Sequence, residues 1–116
     1  MKYFFLLATL LLLSFQSQAQ TIDEIPVNKI DVEYAKIVAV RTNSAGRYTI
    51  FISIGQEEYM RDRKGTPVKD AAGNAIEINT PVKALNLMDE LGYELVKAYV
   101  QDAENWEHFI LRKKKS

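Results

Sequence analysis

Apolar and polar residues alternate most cleanly between Arg47 and Gly55. Tyr48, Ile50, Ile52 and Ile54 fall on one side, and Thr49, Phe51 and Ser53 on the other. A period of two with this many β-branched side chains predicts a strand. The preceding stretch "VEYAKIVAVR" (32–41) has no glycine or proline and the same bias toward Val, Ile and Tyr. Between the two lies "TNSAG", a turn cluster in which Gly46 can supply a positive φ. The pair therefore predicts an antiparallel hairpin. A second hairpin follows from "YELVKAYV" (93–100) and "WEHFILRK" (106–113), joined by the polar "QDAEN".

Between the hairpins the period lengthens. Thr80 can cap a helix, and Pro81 suits its first position because the missing N–H would have no partner there. Val82, Leu85 and Met88, with Ala84, Leu87 and Leu91, form one broad apolar side. Lys83, Asn86, Asp89 and Glu90 fall largely on the other. Gly92 stands where a left-handed residue ends a helix. A helix of about eleven residues does not persist alone in water, so it needs a sheet to lie on. The order is β-β-α-β-β, and the fold class is α+β: a mostly antiparallel sheet with one helix packed on one face.

Two stretches carry weaker patterns. Residues 20–31 are polar, contain Pro26 and predict an extended lead-in. The insert 56–79 holds two turn clusters, "DRKG" and "DAAGN". Its second half fits either a small hairpin around Asp70–Asn74, with Gly73 left-handed, or a loop. Residues 32–113 then form a single domain, and 114–116 a basic tail.

Alternation also assigns faces. Ala35, Ile37, Ala39, Ile50, Ile52, Ile54, Val96, Ala98, Val100, Phe109 and Leu111 are expected under the helix. Tyr34, Lys36, Val38, Phe51, Leu95, Lys97, Tyr99, Trp106, His108 and Ile110 are expected opposite. An antiparallel sheet that turns one face to water is polar there, and this face is not. Three explanations fit: the insert or lead-in folds over it, two copies pair sheet against sheet, or it is a site for another protein or a glycan. Tyr34, Lys36, Phe51, Lys97, Tyr99, Trp106 and His108 are the candidate interaction residues.

The first nineteen residues change the picture of location. Lys2 precedes an apolar run from Tyr3 to Leu13, interrupted only by Thr9, and Ser17 and Ala19 have the spacing of a small-residue cleavage site. A bilayer span takes about 20 apolar residues, and this run is far shorter. Residues 1–19 therefore predict a signal peptide cleaved after Ala19, no membrane span in the mature chain, and export to the periplasm or the medium. The chain has no cysteine, so disulfides, thiolate metal sites and an acylated-cysteine anchor are excluded, and the domain must fold on packing alone. It carries 15 basic and 15 acidic residues. That balance lacks the basic footprint of a nucleic-acid binder. The closing "LRKKKS" is the one dense basic run, suited to a solvated tail that discourages strand pairing.

Little in the chain points to catalysis. His108 is the only histidine and has no partner ligands at metal-binding spacing. The acidic pairs Glu57-Glu58, Asp89-Glu90 and Asp102/Glu104 fall in loops or on the polar helix side, the usual place of solvated surface charge. General acid–base work needs instead a group shifted by burial or a charged neighbour. Counted from Asp70, the twelfth position of a calcium loop is Pro81 instead of a bidentate Glu. The phosphate-cradling, dinucleotide and nucleophile-elbow motifs are all absent. No catalytic, cofactor or metal residue is assigned.

The helix ending "ELG", the stretch Gly92-Tyr93-Glu94-Leu95-Val96 and the closing "HFILRKK" together resemble a family of small bacterial domains of unknown function. That family's signature is Gly-Trp-Glu-Leu-Val, and this chain looks like its exported Bacteroidota-type branch, which carries the extra "GTPVKDAAGNAIEI" insert. Tyr93 departs from the family's usual Trp. The resemblance covers about residues 80–114 and implies the fold, with no activity to transfer. The expected role is a non-catalytic interaction or structural module of the bacterial envelope, with a protein or glycan partner or a second copy of itself. The alternative is an enzyme accessory or hydrolase with its carboxylate in the 56–79 insert.

Overall fold

A computed structural model describes residues 20–42, 46–101 and 105–115. The expected signal peptide, the tip of the "TNSAG" turn, Asp102 and Glu104 lie outside the described residues. Among the described residues ten elements follow in chain order. Strands β1 (Thr21–Ile22) and β2 (Ile25–Pro26) precede a 3-10 turn (Val27–Lys29). Then come β3 (Tyr34–Arg41), β4 (Tyr48–Ser53), β5 (Val68–Lys69), β6 (Ala75–Ile76), α1 (Pro81–Glu90), β7 (Tyr93–Gln101) and β8 (Trp106–Lys113).

The fold is α+β, with two antiparallel sheets. The larger runs β4-β3-β8-β7 and the smaller β2-β1-β5-β6. In the larger sheet the two sequence-adjacent hairpins meet through β3 and β8, where Ala35 lies opposite Leu111 and Ile37 opposite Phe109. Helix α1 begins as its sequence dictates: Thr80 Oγ1 accepts the Lys83 N–H at 3.2 Å, and Pro81 opens the first turn. It ends at Gly92, whose φ of 92° closes the chain back toward the sheet. Ala84, Leu87 and Met88 bury against Ala35, Ile37, Ala39, Ile50, Ile52, Ile54 and Leu111. The helix thus gains the apolar support it lacks alone.

The smaller sheet corrects one expectation and decides between two alternatives in another. The lead-in is not simply extended. Ile22 and Ile25 pair across a two-residue turn in which Asp23 and Glu24 both hold positive φ, 52° and 65°. Hairpin loops of this kind favour Asn-Gly because those residues reach the left-handed region cheaply, and here tertiary bonds hold the turn. The Asp23 N–H donates to Pro67 O at 2.7 Å, and its carboxylate meets Arg61 at 3.2 Å. The second half of the insert is a true hairpin. Asp70 Oδ1 accepts the N–H groups of Ala72 and Asn74, and Gly73 has φ 86°.

Both segments send their apolar side chains to the helix side. Ile22 and Val68 are fully enclosed in the same cluster as Met88, with Ile25, Val27, Ile30, Ile76 and Ile78 packed around them. The lead-in and the β5–β6 ribbon therefore complete the helix-side core and do not lie over the opposite face.

The insert also closes one edge of the larger sheet. Thr66 N–H donates to Ile50 O, Thr66 Oγ1 accepts the Ile52 N–H, and Asn79 O accepts the Tyr48 N–H. Gln56 takes the Ile54 N–H on Oε1 and returns its own Nε2 to Ile52 O. Gly65 makes this close approach possible, since a Cβ there would lie 2.6 Å from Ile50 O.

Candidate functional site

The face away from the helix is fixed by register. Residues directly opposite in an antiparallel ladder point the same way. Phe51, Val38, His108 and Tyr99 therefore form one row across all four strands. Ser53, Lys36, Ile110 and Lys97 form the next, and Tyr34 and Glu94 flank Arg112 in a third. Trp106 lies opposite Gln101. All seven candidate residues, Tyr34, Lys36, Phe51, Lys97, Tyr99, Trp106 and His108, thus share this face.

One assignment is corrected. Leu95 lies opposite Leu111 but Lys97 opposite Ile110, so Val96 is an extra residue that bulges the strand. The bulge puts Leu95 on the helix side, whereas simple alternation places it on the other.

The row's centre is buried. Val38 is fully enclosed between Phe51 and His108, themselves buried, and the His108 side chain keeps only 6% of its exposure. The His108 ring stacks on Tyr99 with centroids 4.7 Å apart and planes 1° from parallel. His108 Nε2 lies 3.1 Å from Gln101 Oε1. An amide oxygen can only accept, so this contact is a hydrogen bond in the tautomer that carries its proton on Nε2. Nδ1 is buried without a partner among the described residues. Burial holds the His108 pKa below the usual imidazole range, and the nearby Lys36 ammonium adds to the effect. The ring is therefore neutral at neutral pH and serves as an aromatic plate.

Cations frame the aromatics. Lys36 Nζ lies 6.0 Å from the Tyr99 ring centroid, and the Arg112 guanidinium carbon lies 5.7 Å from that of Tyr34. Such contacts draw a cation to the negative face of the ring. Arg112 Nε also donates to Glu33 at 3.1 Å, and that bond, with the nearby charges, raises the guanidinium pKa further. Tyr34 and Tyr99 remain 56% and 41% exposed.

The opening residues of β7 serve the fold. Tyr93 is buried in the helix-side core, and its hydroxyl donates to Val32 O at 2.6 Å. Burial pushes its pKa up. Nor does the basic tail swing free throughout: Lys114 N–H donates to Gly92 O, and its ammonium pairs with Asp89.

Clefts among the described residues lie elsewhere. One of about 530 Å³ runs between the β4 edge and the β5–β6 ribbon, lined by Tyr48, Thr66, Val68, Ile76 and Asn79 among others. Another of about 500 Å³ is bordered by Asp23, Gln56, Glu57, Glu58 and Arg61. Insert carboxylates with visible partners act locally: Asp62 Oδ1 accepts the Lys64 N–H, and Asp70 holds its own turn. Among the described residues no three His, Cys, Asp or Glu side chains gather as a metal site, and no helix is long and apolar enough to cross a membrane.

Compared with family models, curated proteins and solved structures, the chain finds no match. The face itself is the candidate site: aromatic plates, some buried and some open, interleaved with lysine and arginine.

Proposed function

We propose that the chain is a small exported, non-catalytic domain of the bacterial envelope, and that it binds a protein or glycan through the sheet face bearing Tyr34, Lys36, Lys97, Tyr99 and Trp106. The observation that carries this is the pairing of half-exposed rings with cations, Tyr34 with Arg112 and Tyr99 with Lys36. Flat rings give apolar contact at low entropic cost, and the cations select partners with acidic or hydroxyl-rich groups. Burial of the Phe51–Val38–His108 row makes the platform rigid beneath them. Export rests on the apolar run and small-residue exit of residues 1–19.

A photo-cross-linking residue placed at Tyr34 or Tyr99 in intact cells tests the idea, with Glu90 on the exposed side of α1 as control. The expected result is a discrete adduct with an envelope protein or glycan from the two face positions and none from Glu90. Equal adducts from all three, or none from any, would refute it. Cell fractionation tests export, which fails if the chain stays full length in the cytoplasm.

A further inference from the structure

The two edges of the larger sheet differ in a way that points to a partner. Strand β4 is occupied along its outer side by Thr66, Gln56 and Asn79. Strand β7 closes the sheet order on the other side and has no neighbouring strand beyond it among the described residues. From Glu94 to Gln101 every residue of β7 is exposed, with Leu95, Val96 and Val100 each about half open to solvent. An unpaired main-chain edge flanked by exposed apolar side chains is a template for another strand.

The charges on β7 fit one particular strand. Glu94 and Lys97 belong to none of the four ion pairs among the described residues. They are three residues apart, so in a regular strand they would face opposite ways. The bulge at Val96 brings both to the face away from the helix, Glu94 beside Arg112 and Lys97 beside Ile110. Laid antiparallel against itself, β7 can then set Glu94 across from Lys97 twice over. Leu95 falls across from the bulged Val96, and Tyr93 across from Ala98, the latter pair on the helix side.

We propose that β7 pairs antiparallel with β7 of a second copy, Glu94 opposite Lys97 of the partner subunit, joining two four-stranded sheets into one across a two-fold axis. The pairing consumes the open edge of each larger sheet, and the insert blocks β4, so the assembly closes at two instead of growing into a filament. The surface is the sheet's edge, and the idea does not depend on the face-binding reading above.

Sedimentation velocity over a concentration series tests it, using the chain from Gln20 onward, which contains both sheets and the helix. The parent is expected to be in monomer–dimer equilibrium. Glu94→Lys and Lys97→Glu should each weaken the dimer roughly tenfold or more, because each places like charges opposite one another twice. The double variant Glu94→Lys/Lys97→Glu should recover the parent's association. Thermal melts of dilute samples check that the single variants still fold, as substitutions at exposed positions should allow. A parent that stays monomeric throughout, larger oligomers, or a dimer indifferent to the single reversals would overturn the proposal. These outcomes are separate from the cross-linking result, since a monomer can still present the aromatic face.

Discussion

Strands β4 and β7 lie at opposite edges of one sheet, and their fates diverge. Along β4, Thr66 and the Asn79 carbonyl from later in the chain, and Gln56 just past the strand, meet its outward main-chain groups. Along β7 a neighbouring strand is present on one side only among the described residues. Both strands are rich in apolar residues, so hydrophobicity alone does not explain the difference. What separates them is what the chain places beside them. The 56–79 insert, besides sending Val68, Ile76 and Ile78 to the core, satisfies the polar groups of a neighbouring strand. On the proposed pairing, β4 is closed for folding and β7 is left open for association.

Several substitutions would break or sharpen this contrast. The largest effect is expected from Gly65→Val. Its φ of 98° disfavours any side chain, and a Cβ would press on Ile50 O at 2.6 Å. Chemical denaturation should show a loss of about 3 kcal/mol or more as the insert is pushed off β4. Thr66→Val should follow, at about 1–3 kcal/mol, because it leaves the half-buried Ile52 N–H without its acceptor. Gly92→Val probes a glycine with the same sign of φ, but a Cβ there would meet no atom within 4 Å. It should therefore cost only about 1 kcal/mol. At the open edge, Val100→Thr in dilute solution should change stability by no more than about 0.5 kcal/mol.

The smallest effect concerns pH. His108 has a folded pKa below its unfolded value, so the unfolded chain takes up the proton first. Its contribution is fully present above about pH 6.5 and is lost as the pH falls below that value toward the lower folded pKa. His108→Gln should flatten the stability profile over that acidic window, as followed by thermal melts.

The long strands and the helix were legible because each repeats a period several times, and because Thr80, Pro81 and Gly92 mark the helix ends with local chemistry. The small sheet was hidden. Its strands are two residues long, too short to show alternation, and Asp23-Glu24 lacks the glycine that announces such a turn. The bulge was hidden for a different reason. Tyr93 and Tyr99 are six residues apart, which a regular strand places on one face, yet Tyr93 anchors in the helix-side core while Tyr99 stacks on His108. Only tertiary contacts demand the extra residue that reconciles them. The candidate face was legible residue by residue, because alternation assigns faces wherever the strand is regular. Which elements cover which face was not, since the lead-in and insert carry too few apolar residues to declare a destination.

Amide hydrogen exchange on dilute, monomeric protein compares the two edges in one measurement. The outward amides of Tyr48, Ile52 and Ile54 should be protected, because each donates to a group from outside the strand, while alternate amides along β7 should exchange rapidly. Fast exchange at Ile52 and Ile54, or uniform protection along β7 in the monomer, would contradict a sheet closed at one edge and open at the other.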